Sequence, residues 1–454
     1  MKPLVLLAAF VAILVAVDLG FEEFDIGETI GVSGETNEEP SPEDEPEDTP
    51  APSPAPSPSP EPSPSPSPDE TAGADRLSFE VPYPSRCLER VRPPRIGLIA
   101  AYRNGRVSIA APGDAQELTS FSSRPPLAWS PSGRVLATGQ GDLFSVRGRS
   151  FGTVTTGSEW AWSTVADCLV VADAGGGLAL GLPNRSVQLL QGAPVADLSF
   201  SPGGAALAWV AEGSGSRREI WVADLRRSVA SLVKRFPEGV VSVDLMGWGR
   251  ANDRLLYGTA SGESIRADGV RVRAIDGLGE GRPRGGSLGA TVLPYLDSIR
   301  RCGPRLLAVV GGGRDTTTNK ALAYLEAGRP AQRITPSDAA YVAAACRPGG
   351  DFIAAVTQDS GAATGTRRLV LLNADGGFVD NLTADSGSAD EYPMWGPPGT
   401  GVVFVRRPDA GGAAQVWYIP EGSTARATTL RVASGRPFHG TFGWPRVLDW
   451  SGAR

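Results

Sequence analysis

From Arg95 onward, apolar residues recur with a period of two in short runs broken by Gly, Asp, Asn and Pro; Ile96–Tyr102, Arg106–Ala110, Arg134–Thr138, Leu169–Ala172, Ala206–Val210, Leu306–Val310, Phe352–Val356 and Val402–Arg406 are examples. Alternation at two residues lays one face of each run on a core and predicts β-strands. No stripe at helical spacing persists for three turns, so this region reads as all-β. A longer period lies over the short one. A small or aromatic residue, Trp-Ser-Pro or a worn form of it, a Gly turn and an apolar run recur as LAWSPSGRVLAT at Leu127–Thr138, WAWSTVADCLVVA at Trp160–Ala172 and LSFSPGGAALAWV at Leu198–Val210. Later copies are LMGWGRANDRLLYG at Leu245–Gly258, AACRPGGDFIAAV at Ala344–Val356 and MWGPPGTGVVFV at Met394–Val405. A repeat of this kind cannot bury its apolar face alone and must stack on its neighbours.

The anchors of the repeat are Trp129, Trp162, Phe200, Trp248, a degenerate copy near Arg300, Cys346, Trp395 and Trp450. Their steps of 33, 38, 48, 52, 46, 49 and 55 residues suit four strands and their turns. Four-stranded sheets repeated radially make a β-propeller. The count is eight blades, or seven if the Arg300 copy or the terminal one is not a blade of its own. Trp450 has too little chain after it for a full blade, and the hairpin Ile96–Ala110 lacks an anchor before it. Pairing the two ends would close the ring and remove both free edges.

The seventh copy carries a resemblance to a known family. Leu369–Gly376, then Asn381-Leu382-Thr383, then Glu391–Gly399 with Trp395, then Val402–Val405 resembles a full TolB-type (WD40-like, PD40) propeller repeat. The resemblance spans Arg95–Arg454 and is strongest at Trp129, Phe200 and Trp395. Where the family places Asp in its Trp-Ser-Pro-Asp-Gly turn, Ser132, Gly203 and Pro398 stand here. The resemblance implies a propeller whose motif residues are structural, the Trp packing between blades and the Pro-x-Gly forming a tight turn.

Ahead of the repeats the pattern changes. Met1-Lys2-Pro3 precedes an unbroken apolar run, Leu4–Val17, which reads as a signal peptide or membrane anchor within residues 1–20. Residues 21–75 are acidic and then Pro/Ser-rich, with Pro at every second position from Pro50 to Pro68. Such a linker is expected to be disordered, its Pro-rich part an extended polyproline stalk reaching about 60 Å. Residues 76–94 form a lead-in to a propeller over 95–454. Export to the cell envelope, membrane-anchored or secreted after cleavage, is the expected localisation.

Charge divides at the same place. Residues 1–75 carry 17 carboxylates against Lys2, so the chain's net −7 is the difference between −16 there and +9 in residues 76–454. The basic excess, 40 Arg against 3 Lys, lacks the aromatic interleaving of a single-strand binder, and no nucleic-acid partner is expected. Cys87, Cys168, Cys302 and Cys346 allow three pairings, and their wide spacing does not suit zinc.

Candidate chemistry is sparse. Gly285–Gly289 fits Gly-x-Ser-x-Gly but sits in a Gly/Arg-rich loop rather than a strand-to-helix elbow, and His439 is the only histidine. Acidic residues recur before the anchors: Glu159, Asp197, Asp244, Asp297, Asp390 and Glu391. If the anchor strand is innermost, they gather round one channel mouth, where they would bind a basic peptide or Ca²⁺, or instead pair with the many Arg. No cofactor is required. The expected function is a non-enzymatic, monomeric interaction or scaffold module whose partner is an envelope protein or peptide. The alternatives are a glycan binder exposing Trp160, Tyr392 and Trp444, or a glycoside-processing enzyme using paired mouth carboxylates. Removal of residues 1–75 is expected to leave a soluble, folded, basic β-protein; a helical or molten circular-dichroism spectrum would sink this architecture.

Overall fold

The computed structural model describes residues 76–454 apart from short segments, the longest being 261–269, 293–298, 312–319, 359–366 and 433–442. The strands form seven antiparallel sheets; one has eight strands, because Val292 bridges Val310, and carries two anchor strands, so that it counts as two of eight four-stranded blades. Each begins on an anchor strand: Leu127–Trp129, Trp160–Trp162, Val195–Phe200, Ser242–Trp248, Ile299–Cys302, Tyr341–Cys346, Ser388–Trp395 and Leu448–Trp450, here blades 1 to 8. The other three strands of a blade follow outward in order, except that blade 8 is completed by Ile99–Arg103, Arg106–Ala110 and Thr119–Ser122 from the start of the domain. Ring closure is thus the antiparallel pairing of Ile99 with Trp450, Ala100 with Asp449 and Ala101 with Leu448. The anchor strands line the axis: those of blades 5 and 6 approach to 5.1 Å between the Cα atoms of Cys302 and Cys346.

Blades face a neighbour on both sides, and the second and third strands show it. Val135–Thr138, Leu169–Ala172 and Leu178–Leu182 are buried at every position. Strands covered on both faces need continuous rather than alternating apolar residues. The outermost strands, such as Phe378–Asn381, lie open. Eight apolar clusters result, one per interface. Val135, Leu143, Trp162 and Leu169 lie between blades 1 and 2; Val403, Tyr418, Trp444 and Trp450 lie between blades 7 and 8; Ile109, Trp129 and Leu136 lie between blades 8 and 1.

Three of the five anchor Trp residues also hydrogen-bond across these interfaces, while the indole N–H groups of Trp129 and Trp450 are buried without an acceptor. The indole N–H of Trp162 donates to Ala128 O at 2.9 Å, that of Trp248 to Ser199 O at 3.2 Å, and that of Trp395 to Ala345 O at 2.9 Å. Each acceptor is the residue just before the preceding blade's anchor. A buried indole contributes about 5 kcal/mol through the area it removes from water, against about 1 kcal/mol for the bond. Apolar burial holds the blades together, and the N–H fixes their registration. Blades 5 and 6 have Cys where the others have Trp or Phe. The worn copy near Arg300 places its anchor two residues later, at Cys302, and Cys302 is bonded to Cys346. A covalent link therefore stands where the aromatic is missing.

The lead-in is part of the domain. Arg76–Ser78 adds a fifth strand to the outer edge of blade 3, pairing with Val229–Ser231. The chain then enters the groove between blades 2 and 3, where Phe79, Tyr83 and Cys87 are buried and Cys87 is bonded to Cys168. Farther on, Val91 N donates to Val165 O at 2.7 Å.

One of the expected features changes. Gly285–Gly289 lies not in a loop but within Arg284–Val292, the outer strand of blade 4, with Ser287 opposite Arg273. No strand-to-helix elbow exists there, and His439 lies outside the described residues. The apolar run Leu4–Val17 also lies outside them; among the described residues no helix is long and apolar enough to cross a membrane.

Replacing Trp395 by Phe keeps most of the apolar contact and orphans Ala345 O, a loss of about 1–3 kcal/mol. Replacing Cys302 and Cys346 together by Ala releases a 44-residue loop, a loss of about 4 kcal/mol. Denaturant midpoints under non-reducing conditions should rank the variants in that order.

Candidate functional site: the acidic end of the channel

The innermost strands run from an acid-bearing end toward their anchors. In blade 3, Asp197 stands three residues before Phe200, and its Oδ2 accepts the backbone N–H of Leu245 in blade 4 at 2.7 Å, while Oδ1 accepts that of Leu198 at 2.8 Å. The carboxylate thus bridges two blades. Burial pushes its pKa up to about 7; the two N–H donors oppose the shift, and Glu159 and Asp244 add to it through their charge. Glu159, Asp197 and Asp244 therefore share one electrostatic neighbourhood, as the repeat spacing predicts. Asp244 accepts a bond from Ser242 Oγ at 3.2 Å. Burial also raises Glu159, opposed by the positive charge of Arg446. Arg446 belongs to the one-turn helix Trp444–Val447 that delivers the chain into blade 8. Nothing in its sequence context marks it as a mouth residue; ring closure brings it there.

Asp390 and Glu391 follow the other of the two readings and pair with Arg. Asp390 is 1% exposed and takes a bidentate pair from Arg406, Nε to Oδ1 at 2.6 Å and Nη2 to Oδ2 at 2.7 Å. Arg406 is its cross-strand partner in blade 7. Glu391 is 3% exposed and accepts from Arg367 of blade 6 at 2.9 Å, Arg407 of blade 7 at 3.2 Å and the indole of Trp444 at 2.8 Å. Burial raises its pKa, and Arg367, Trp444 and Arg407 resist the rise. The two acids sit in regular register opposite Arg406 and Val405 on a strand covered on both faces, and the bulge, with Tyr392 at a φ of +49°, comes after them. Asp390 ties two strands of blade 7, and Glu391 joins blade 7 to blade 6 and to the helix before blade 8. Asp297 lies outside the described residues.

The glycan-binding alternative needs Trp160, Tyr392 and Trp444 exposed, and none of the three is. Trp444 is 1% and Tyr392 7% exposed, and half-buried Trp160 donates to Gly139 O at 3.0 Å. Among the described residues no group of three His, Cys, Asp or Glu side chains is placed to hold a metal ion.

A ring of eight four-stranded blades with a charged channel end defines a β-propeller, and the comparisons with known proteins agree. No protein-family model matches the chain, and no curated protein matches it. Solved structures do. The dihydro-heme d1 dehydrogenase NirN, solved in complex with DHE, matches at 15% identity over 80% of this chain and 80% of its own, with a TM-score of 0.51. A TolB structure from Agrobacterium tumefaciens matches at 15% identity over 78% of this chain and 98% of its own, with a TM-score of 0.33. Dipeptidyl peptidase 4 from Porphyromonas gingivalis matches at 12% identity over 77% of this chain and 56% of its own, with a TM-score of 0.45. At these identities the likeness is one of fold: the domain is a β-propeller.

A carboxyl whose pKa is higher folded than unfolded binds an extra proton in the folded state across the interval between the two values. Stability is then greatest at acid pH and falls as pH rises from about 4 to about 7. Asp197→Asn keeps an acceptor for Leu245 and removes the charge, so it should flatten that fall by about 2–4 kcal/mol in denaturation measured from pH 4 to 8.

Proposed function

We propose that this protein is an exported interaction module of the cell envelope, tethered through its N-terminal segment, that presents the acidic end of its channel to a basic protein or peptide. The observation that carries the reading is the grouping of Glu159, Asp197 and Asp244 from three consecutive blades on one rigid ring. Like charges held together and partly withdrawn from water are stabilised by a cationic partner, and a closed ring presents them with little ordering cost on binding. Two disulfides, with no free Cys, suit an oxidising compartment outside the cytoplasm. The apolar run Leu4–Val17 and the Pro-rich stretch Pro50–Pro68 suit an exported, spaced domain.

One observation favours a second reading. A carboxyl pushed up to about 7 beside two further acids is the pattern of a general acid in glycoside hydrolysis. The two readings separate in one experiment. The full chain, tagged at Arg454, is crosslinked in cells and compared with a Glu159→Gln, Asp197→Asn, Asp244→Asn variant. The module reading expects one envelope protein recovered with the parent and lost with the variant. Recovery of cell-wall glycan instead, with glycan cleavage abolished by Asp197→Asn alone, would overturn it in favour of the enzyme.

A further inference from the structure

The opposite end of the channel has a different chemistry. Where the anchors of blades 1 to 5 meet the lead-in, there is a cavity of about 570 Å³, within the range of small-ligand pockets. Its walls are mixed: Trp129, Phe200, Trp248 and Leu306 from the blades and Val91 and Pro93 from the lead-in are apolar, and Ser130, Thr164 and Ser199 add hydroxyl groups. Two cations, Arg90 and Arg301, also line it, and no carboxylate does. Elsewhere in the domain guanidinium groups are commonly matched, as in Arg406 with Asp390, Arg367 with Glu391 and Arg347 with Glu421. Arg90 and Arg301 make no ion pair or side-chain hydrogen bond among the described residues. Burial lowers the pKa of Arg301, as expected of a cation partly removed from water without a counter-charge. The indole N–H of Trp129, on the same wall, is buried and has no acceptor.

Both arginines are held by rigid backbone. Arg301 precedes Cys302, bonded to Cys346 in the next blade. Arg90 lies between Cys87, bonded to Cys168, and Val91, whose N–H is bonded to Val165 O. Two exposed guanidinium groups at the rim of a cavity of this size, carried by backbone that the disulfides tie down, suit an anionic head on a body with apolar surface.

We propose that the anchor end of the channel is a binding site for a small organic anion, a carboxylate or sulfonate carried on an aromatic or aliphatic body, with Arg90 and Arg301 as its charge partners. The site is separate from the acidic end, and the lead-in forms one of its walls.

The probe is 1-anilinonaphthalene-8-sulfonate, titrated into the full chain with its disulfides intact and followed by dye fluorescence. Saturable one-site binding is expected, displaced by 2-naphthoate. Arg90→Gln and Arg301→Gln should each weaken it about tenfold, and the double variant more. The uncharged N-phenyl-1-naphthylamine should bind about tenfold less well than the sulfonate. Unchanged near-ultraviolet circular dichroism in each variant separates loss of the site from loosening of the core. The Glu159→Gln, Asp197→Asn, Asp244→Asn variant should bind the dye as the parent does. Absence of saturable binding, equal affinity in the arginine variants, equal affinity for the neutral dye, or dependence on the acidic end would each overturn the proposal.

Discussion

The structure depends on one constraint: a four-stranded blade has two apolar faces and can cover neither by itself. Each interface cluster is therefore shared property, and removing one blade would strip two neighbours at once. A line of such blades would leave two uncovered faces and two open edges. Closure removes both, and it is concentrated at Trp450, which is fully buried against blade 7. Space for that ring is made by Gly396 and Gly97: a Cβ on Gly396 would sit 2.2 Å from the Trp450 ring, and one on Gly97 2.4 Å from its Nε1. The final join is thus packed as tightly as any inner one, although it brings together residues from opposite ends of the domain.

The acids before the anchors show how one repeat position acquires different work. Asp197 and Asp449 each accept a backbone N–H from the next blade, Leu245 and Trp129 respectively, both at 2.7 Å. Glu391 reaches across three blades through two guanidinium groups and an indole. In blade 7, Arg367, Arg406 and Arg407 neutralise the carboxylates inside the fold. In blades 2 to 4, Glu159 and Asp244 add their like charge to Asp197, and Arg446 opposes the rise at Glu159.

Much of the architecture was legible because it rests on spacing. The Trp and Phe anchors, the four-strand unit and the pairing of the chain ends follow from a repeated phrase and the need to bury it. The second strands depart from the period of two by which they were predicted: LVVA at Leu169–Ala172 is apolar throughout because it is covered on both faces. The blade 5 anchor was placed two residues early because Cys302 does not look like a worn Trp until its bond to Cys346 is seen. Of the candidate site, the grouping of Glu159, Asp197 and Asp244 was legible from register. The burial of Asp390 and Glu391 was not, because Ser388–Trp395 is covered on both faces and the arginines that neutralise them come from other strands. The strand through Gly285–Gly289 was hidden by its glycines, which weaken every local strand signal.

The route of the lead-in has a mechanical consequence. Tension on the chain N-terminal to Arg76 enters the domain through the short ladder between Arg76–Ser78 and Val229–Ser231, the outermost element of blade 3. Those few hydrogen bonds would yield first, and the segment through Phe79 and Tyr83 would peel from its groove. Peeling stops at Cys87, because the load then passes through a covalent bond to Cys168 in blade 2. The closing pairs between Ile99–Ala101 and Leu448–Trp450 lie beyond that point and carry none of it. The first disulfide acts as a strain relief: it ends the yielding segment before the seam of the ring is reached.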